Sequence, residues 1–483
     1  MPQNDDSSPS SSDFILTRRG FLASAGAAAL SFVYLPGIGP VQAKPYPTDR
    51  TDDYEGRLCY NENPLGPSPM ALAAMQDAAT LGHRYPDWNS TTLEGQIAAY
   101  HGLSASNICA GAGATEIIHL LAGAFLGPGD EVITAYPSYD QIESEAMARG
   151  ASVVRVPLKE NHAIGLYHFT AAITPNTKMM YMVNPNNPTG TIFDRLEMQD
   201  FMATLPPDIL VVVDEAYHDY VESTDYESCI PYVEEGKSMV VIRTFSKAQG
   251  LAGVRVGYAV ASASRIGLIA AEQPYAMVSR IGQAAAAAAM DDTQHVADTV
   301  DLNNWTKLQL QTGIIGLGLN YIGHHTNFLM IDVGVDANAV RVELLARGYQ
   351  VRSGWGMPTY LRVSTGTEAE IAGFLLALED ILSVGVDEGS APVFAMSDVY
   401  PNPFNGRCTI PISVTEEAPV NLAIYDTQGR KVRSLASGPM DAGKHDLVWD
   451  GKNHLGRTVA SGTYFANLIQ GEFATSKKLI FVK

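Results

Sequence analysis

From Asn107 to Tyr258 short apolar runs alternate with longer stretches of helical period. Each run is closed by glycine, proline or a polar residue, which predicts buried strands. They fall at Ile108–Ala110, Glu131–Ala135, Ser152–Pro157, Met179–Val183, Leu210–Asp214, Met239–Arg243 and Val256–Val260. Strands alternating with helices predict an α/β fold with a mostly parallel sheet. In such sheets ligands gather beyond the carboxyl ends of the strands, where this chain places its polar and glycine residues.

The flanks have other rhythms. Upstream, helices are predicted from Pro69 to about Leu81 and from Thr91 to Tyr100, with a turn at Arg84–Tyr85–Pro86–Asp87 between them. Downstream come an alanine-rich helix at Ala284–Met290, a long helix through Leu302–Leu319 and a small α+β unit. That unit has strands at Phe328–Val333, Tyr349–Arg352 and Tyr360–Ser364, and helices at Ala337–Arg347 and Glu368–Leu382. After a linker at 387–395 the period changes to strict alternation, in six runs from Cys408 to Val482 separated by turn signals such as Asp450–Gly451. This predicts a small all-β sandwich over 396–483. The expected organisation is a linker at 44–57, then a catalytic part at 58–386, then the sandwich. Within the catalytic part a large domain covers about 90–265, and a small domain joins the N-terminal segment to about 290–386.

Composition narrows the options. The 483 residues are 46% hydrophobic and 17% charged, enough for a large core, and the net charge of −20 argues against a nucleic-acid partner. Cys59, Cys109, Cys229 and Cys408 stand far apart, with no metal-binding spacing, and read as small buried apolar residues.

Candidate chemistry lies at the predicted strand ends. Arg243–Thr244–Phe245–Ser246–Lys247 runs on to Arg255, so that a lysine sits among hydroxyls with an arginine eight residues on. That suits a phosphorylated carbonyl compound: the amine forms an imine, and the hydroxyls and guanidinium hold the phosphate. Gly111–Ala112–Gly113–Ala114–Thr115–Glu116 follows a strand and opens a helix, offering N–H groups to an anion. Tyr139 could cover a flat ring, and the rigid turn Asn184–Gly190 presents an amide. Asp214, ending an apolar strand, needs a partner such as a protonated ring nitrogen, and Tyr217 follows it.

Taken together, and with Asn61–Glu62–Asn63–Pro64–Leu65–Gly66–Pro67 and Leu361–Arg362–Val363–Ser364, these segments resemble the fold-type I enzymes that use pyridoxal 5'-phosphate. Within the aminotransferase class I/II group the histidinol-phosphate aminotransferase branch is the most similar. The resemblance implies that Lys247 forms a Schiff base with the cofactor and moves the substrate's Cα proton. Asp214 would keep the ring nitrogen protonated, Tyr217 and Asn187 would hold the ring's phenolic oxygen, and Tyr139 would stack on the ring. Thr244, Ser246, Arg255 and the N–H groups near Ala114 and Thr115 would hold the phosphate. Arg362 would pair with the substrate's carboxylate, with Asn327 and Arg352 as further site candidates. Tyr85 would reach the cofactor phosphate of a second subunit, implying a homodimer. The implied reaction moves an amino group between an amino acid, or an amine such as histidinol phosphate, and a 2-oxo acid. Decarboxylation, elimination and racemisation on the same scaffold, and a non-catalytic surface protein, remain open alternatives.

Thr17–Arg18–Arg19–Gly20–Phe21–Leu22, an apolar run to Val33, and Val41–Gln42–Ala43 together resemble a twin-arginine signal peptide over 1–43. The apolar run is shorter than the about 20 residues of a membrane span, so no span is expected in the mature chain. Tyr400–Pro401–Asn402–Pro403–Phe404–Asn405, Ser461–Gly462–Thr463–Tyr464–Phe465 and the end Lys477–Lys483 resemble a type IX secretion sorting domain. These ends imply export to the periplasm or cell surface, with export machinery as a partner.

Overall fold

The computed structural model describes residues 54–483, apart from 324, 385–394, 397–398, 415–417, 427–429 and 471–472. The signal-peptide segment, linker residues 44–53 and linker residues 387–394 lie outside the described residues.

Seven strands form the main sheet: β1 (Ile108–Gly111), β2 (Glu131–Tyr136), β3 (Ser152–Pro157), β4 (Thr177–Val183), β5 (Leu210–Asp214), β6 (Met239–Thr244) and β7 (Gly257–Ala261). Their order is β1-β7-β6-β5-β4-β2-β3. All neighbouring pairs are parallel except the two made by β7. The central strands carry apolar residues at consecutive positions because both faces are covered. Met180, Met182, Val211, Val213 and Val241 enter one core, and Met179, Tyr181, Val212, Val240 and Ile242 enter the other. The sheet therefore follows the expected strands within a residue or two. The reversal of β7 puts its start at the edge where the parallel strands end, so the stretch preceding it reaches the same edge as Asp214 and Thr244.

A third core lies around a four-stranded antiparallel sheet: β8 (Asn320–Ile322), β9 (Phe328–Asp332), β10 (Arg352–Gly354) and β11 (Met357–Ser364), ordered β10-β11-β9-β8. Leu329, Leu361, Phe374 and Leu310 fill it. The short β8 is a strand that the pattern did not announce, and β10 and β11 form a hairpin whose tip is Trp355. The N-terminal segment belongs here too. Gly56–Arg57 pair in parallel with Tyr349–Gln350, and Leu58 is buried in this core. From there residues 59–63 cross to the main sheet as a strap.

The C-terminal part is all antiparallel, in two sheets. One orders Ala395–Met396, Cys408–Val414 and Gly443–Trp449. The other orders Lys431–Met440, Ala418–Asp426, Gly462–Gln470 and Phe473–Phe481. Alternate residues Cys408, Ile410, Ile412 and Val414 face a core shared with Trp449, Phe404 and Phe481. All four cysteines are buried free thiols. No helix among the described residues is long and apolar enough to cross a membrane.

Candidate active site

A cavity of about 270 Å³ opens at the carboxyl edge of the main sheet, between the ends of β4, β5 and β6, the start of helix α1 (Ala114–Phe125), and the strap. One end is built for an anion. Gly113 precedes α1 at φ +83°, and a Cβ there would lie 2.4 Å from Arg255 Nη2, so only glycine lets the guanidinium settle over the helix start. The first N–H groups of a helix lack partners within it, and those at Ala114 and Thr115 line this end. Arg255, itself at φ +62°, donates to the Ala252 carbonyl at 2.9 Å and to Ser246 Oγ at 3.4 Å. Thr244 Oγ1 accepts the Ser246 N–H at 3.1 Å. Two hydroxyls, a guanidinium and a helix N-terminus thus make a positive cup.

The middle of the cavity holds the acid and the amine. Asp214 is 3% exposed. Its Oδ2 accepts from Tyr181 Oη at 2.8 Å and its Oδ1 from the Ala216 N–H at 3.1 Å. Burial pushes its carboxyl up to about 6 despite those two donors. Lys247, in the loop joining β6 to β7, donates to the carbonyls of Tyr60 at 3.0 Å and Asn61 at 3.1 Å. Burial, with the positive charge of Arg362 second, lowers its amine to about 7. An amine attacks a carbonyl only when neutral. A folded value lowered from 10.5 therefore makes Lys247 reactive near neutrality. Uptake of a carbonyl cofactor by the apo-protein should accelerate through pH 7 and level off above about pH 8. Stopped-flow absorbance measures this, and a rate still climbing towards pH 10 would contradict the reading.

Tyr217, buried, pairs its hydroxyl oxygen with Asn61 Nδ2 at 2.9 Å and Asn187 Nδ2 at 3.4 Å. Burial raises its phenol above the ordinary value. The Tyr139 ring lines the wall, its hydroxyl donating to Gln141 Oε1 at 3.1 Å. At the other end Arg362, 3% exposed, donates to Asn187 Oδ1 at 2.7 Å and to the Cys59 carbonyl at 2.5 Å. Neither partner is a carboxylate, its Nε has no partner, and burial lowers the guanidinium to about 10. A buried cation in this condition calls for an anion from outside. Arg352 lines the cavity from the exposed side, and both guanidinium carbons lie within 5.5 Å of the Trp355 ring centre, at 5.4 Å and 5.2 Å.

Twelve of the expected residues thus share one cavity: Lys247, Asp214, Tyr217, Asn187, Tyr139, Ala114, Thr115, Thr244, Ser246, Arg255, Arg352 and Arg362. Asn327 is not among the lining residues. Its amide is turned to the backs of the strap carbonyls of Asn61 at 3.0 Å and Glu62 at 3.4 Å, which places it behind the wall. Tyr85 stands away from this cavity, 75% exposed and edge-on to Trp88. Three participants escaped the sequence reading as site residues. Asn61 opens the Asn61–Pro67 motif, to which no role is attached in the sequence, Tyr60 precedes it, and Tyr181 looks like one more apolar residue of its strand.

Comparison with known proteins agrees with this geometry. Residues 56–378 match the aminotransferase class I and II family, and residues 402–468 match the FlgD Ig-like domain. The histidinol-phosphate aminotransferase of Moorella thermoacetica is 40% identical over 68% of this chain and 85% of its own. That of Bacillus licheniformis is 40% identical over 68% and 91%. The crystal structure of histidinol-phosphate aminotransferase from Sinorhizobium meliloti in complex with pyridoxal-5'-phosphate superposes with a TM-score of 0.66 at 27% identity, covering 69% of this chain and 92% of that one.

Proposed function

The chain belongs to the aminotransferase class I and II family, and from that premise we propose that it transfers an amino group from an anionic amine to a 2-oxo acid outside the cytoplasm. It is a transaminase of the fold-type I architecture and uses pyridoxal 5'-phosphate. The donor set suits that group: a positive cup of hydroxyls, guanidinium and helix N-terminus, a buried carboxylate, and a lysine whose amine burial lowers to about 7, all lining one cavity. When bound, the cofactor supplies a carbonyl carbon that exchanges amines and a ring that takes up electron density from Cα.

The residues divide the work. Thr244, Ser246, Arg255 and the N–H groups of Ala114 and Thr115 bind the phosphate. Asp214 holds a proton on the ring nitrogen, its charge preserved by the Tyr181 hydroxyl. Tyr139 covers the ring, and Tyr217 and Asn187 face its phenolic oxygen. Lys247 Nζ would attach the cofactor and is the base that would take the substrate's Cα proton and return it. Arg362 orients the substrate through its anionic group, where a planar fork gives a bidentate fit. The single observation that carries this reading is Lys247: a withdrawn amine on two backbone carbonyls, with Asp214 and Arg362 in the same cavity.

Two guanidinium groups, Arg352 and Arg362, at one end of the cavity favour an amine bearing phosphate or carboxylate, such as histidinol phosphate. The purified holoenzyme, mixed with histidinol phosphate and with amino acids, should lose its near-visible absorbance and regain it on addition of a 2-oxo acid. Release of CO2 or ammonia without that cycle would refute transamination by this chain. The working form is a homodimer in which Tyr85 completes the neighbouring site. Its support is an exposed aromatic row, Tyr85, Trp88 and Tyr275, with ring centres 5.8 Å and 6.1 Å apart.

Export follows from the two ends. Arg18–Arg19 ahead of an apolar run and a small-x-small site resembles a signal for the route that carries folded proteins, and segments of the C-terminal sandwich resemble those of a type IX sorting domain. A cofactor held between two cores is loaded before crossing. An Arg18→Lys, Arg19→Lys double variant should stay in the cytoplasm on fractionation, and normal export of that variant would overturn the proposal.

A further inference from the structure

Asn61 occupies the crossing point of the strap. It is 1% exposed and sits at φ +56°, a left-handed conformation that asparagine tolerates better than other residues with a side chain. Its backbone N–H donates to Ser364 Oγ at 2.9 Å, and Ser364 Oγ donates back to Asn61 Oδ1 at 2.8 Å. Its carbonyl accepts from Lys247 Nζ. Its Nδ2 donates to Tyr217 Oη at 2.9 Å.

These bonds decide which way each amide points. The backbone N–H is an unambiguous donor, so the Ser364 hydroxyl sends its own proton to Asn61 Oδ1. That leaves Nδ2 facing Tyr217. Asn187 is fixed in the same manner, because Arg362 can only donate and takes Asn187 Oδ1 at 2.7 Å. The second Nδ2 therefore also points at Tyr217, at the longer distance of 3.4 Å. A phenol has two acceptor lone pairs and one proton. With both amides donating to its oxygen, the proton has to leave in a third direction, and the open side is the cavity, which Tyr217 lines.

We propose that Asn61 is a positioning residue which, through Ser364 on one side and Tyr217 on the other, fixes the Tyr217 hydroxyl as a donor into the cofactor cavity. The role of Asn187 is conditional, since Arg362 is also the group the substrate's anion claims. Asn61 is held by Ser364, which does not line the cavity, so it keeps the phenol oriented when an anion claims Arg362. This inference rests on the cofactor assignment above. It adds that strand β11, which carries both Arg362 and Ser364, sets the proton direction of a residue on a different core.

The test is a pH titration of the near-visible absorbance of the cofactor-loaded enzyme, in wild type, Asn61→Asp, Asn61→Gly and Tyr217→Phe. An aspartate at 61 keeps the shape and the left-handed backbone but only accepts, so it turns the phenol proton away from the cavity. A phenolic oxygen that loses a donor becomes more basic, and the proton it shares with the lysine nitrogen is held more tightly. The titration midpoint should rise by roughly one to two pH units in Asn61→Asp and in Tyr217→Phe, and by less in Asn61→Gly. Asn61→Asp combined with Tyr217→Phe should move it little beyond Tyr217→Phe alone. Glycine accepts the left-handed backbone, so Asn61→Gly covers the case in which the aspartate variant fails to fold. A midpoint unchanged in both Asn61 variants while Tyr217→Phe moves it overturns the proposal and leaves the cofactor assignment standing. An absorbance band that survives Lys247→Ala would instead overturn the assignment beneath it.

Discussion

Lys247→Ala is expected to lower turnover by at least about four orders of magnitude and to leave the fold in place. In the proposed function the lysine supplies both the covalent attachment of the cofactor and the Cα proton transfer, and proton transfer alone is worth roughly 10² to 10⁴. No neighbour can substitute, because the other cations of the cavity are arginines that stay protonated. The stability change should be small. The deletion removes an amine that burial already disfavours in its charged form, and leaves two carbonyls, of Tyr60 and Asn61, that water can satisfy. Steady-state kinetics beside a thermal melt would check both halves. Residual turnover above about a hundredth of wild type would show that another group carries the proton.

The second large effect belongs to Asp214→Asn. The amide keeps the size of the carboxylate, and its carbonyl oxygen can still accept from Tyr181. The lost charge leaves a protonated ring nitrogen buried without its counter-ion, which costs about 3–5 kcal/mol. That corresponds to a fall of roughly 10² to 10⁴ in the rate of Cα proton abstraction. Single-turnover kinetics with Cα-deuterated substrate would read it directly. The lost rate should be partly restored by a cofactor analogue whose ring nitrogen carries a permanent positive charge. Without such rescue, the aspartate would be acting by shape alone.

Much of this was legible in the chain because the main sheet is buried on both faces and its strands end in polar residues. Apolar runs such as Leu210–Val213 announce a strand, and a carboxylate or hydroxyl at the run's end announces the edge where ligands sit. Asp214, Thr244 and Asn187 were accessible to that logic. Tyr181 was not. It projects from the interior of β4, its aromatic ring suits a buried strand, and only the parallel register of β4 with β5 reveals that its hydroxyl meets Asp214. Asn61 and Asn327 were confusable for a related reason: both are buried amides near the site, and their bonding partners lie 156 to 303 residues away in sequence. The short strand β8 shows the limits of periodicity, since a three-residue element carries too few positions for a pattern.

The strap also dictates when the site can exist during synthesis. Residues 59–61 emerge early, yet they bond to Tyr217, Lys247, Arg362 and Ser364, the last two separated from them by 303 positions. Closing so long a loop carries an entropic cost that contacts within the main sheet alone do not offset. A nascent chain that stops short of Ser364 therefore has the lysine, the aspartate and the strap, but not the serine that anchors Asn61 of the strap. The pocket can therefore be completed only after Ser364 has been added, near the end of the catalytic part.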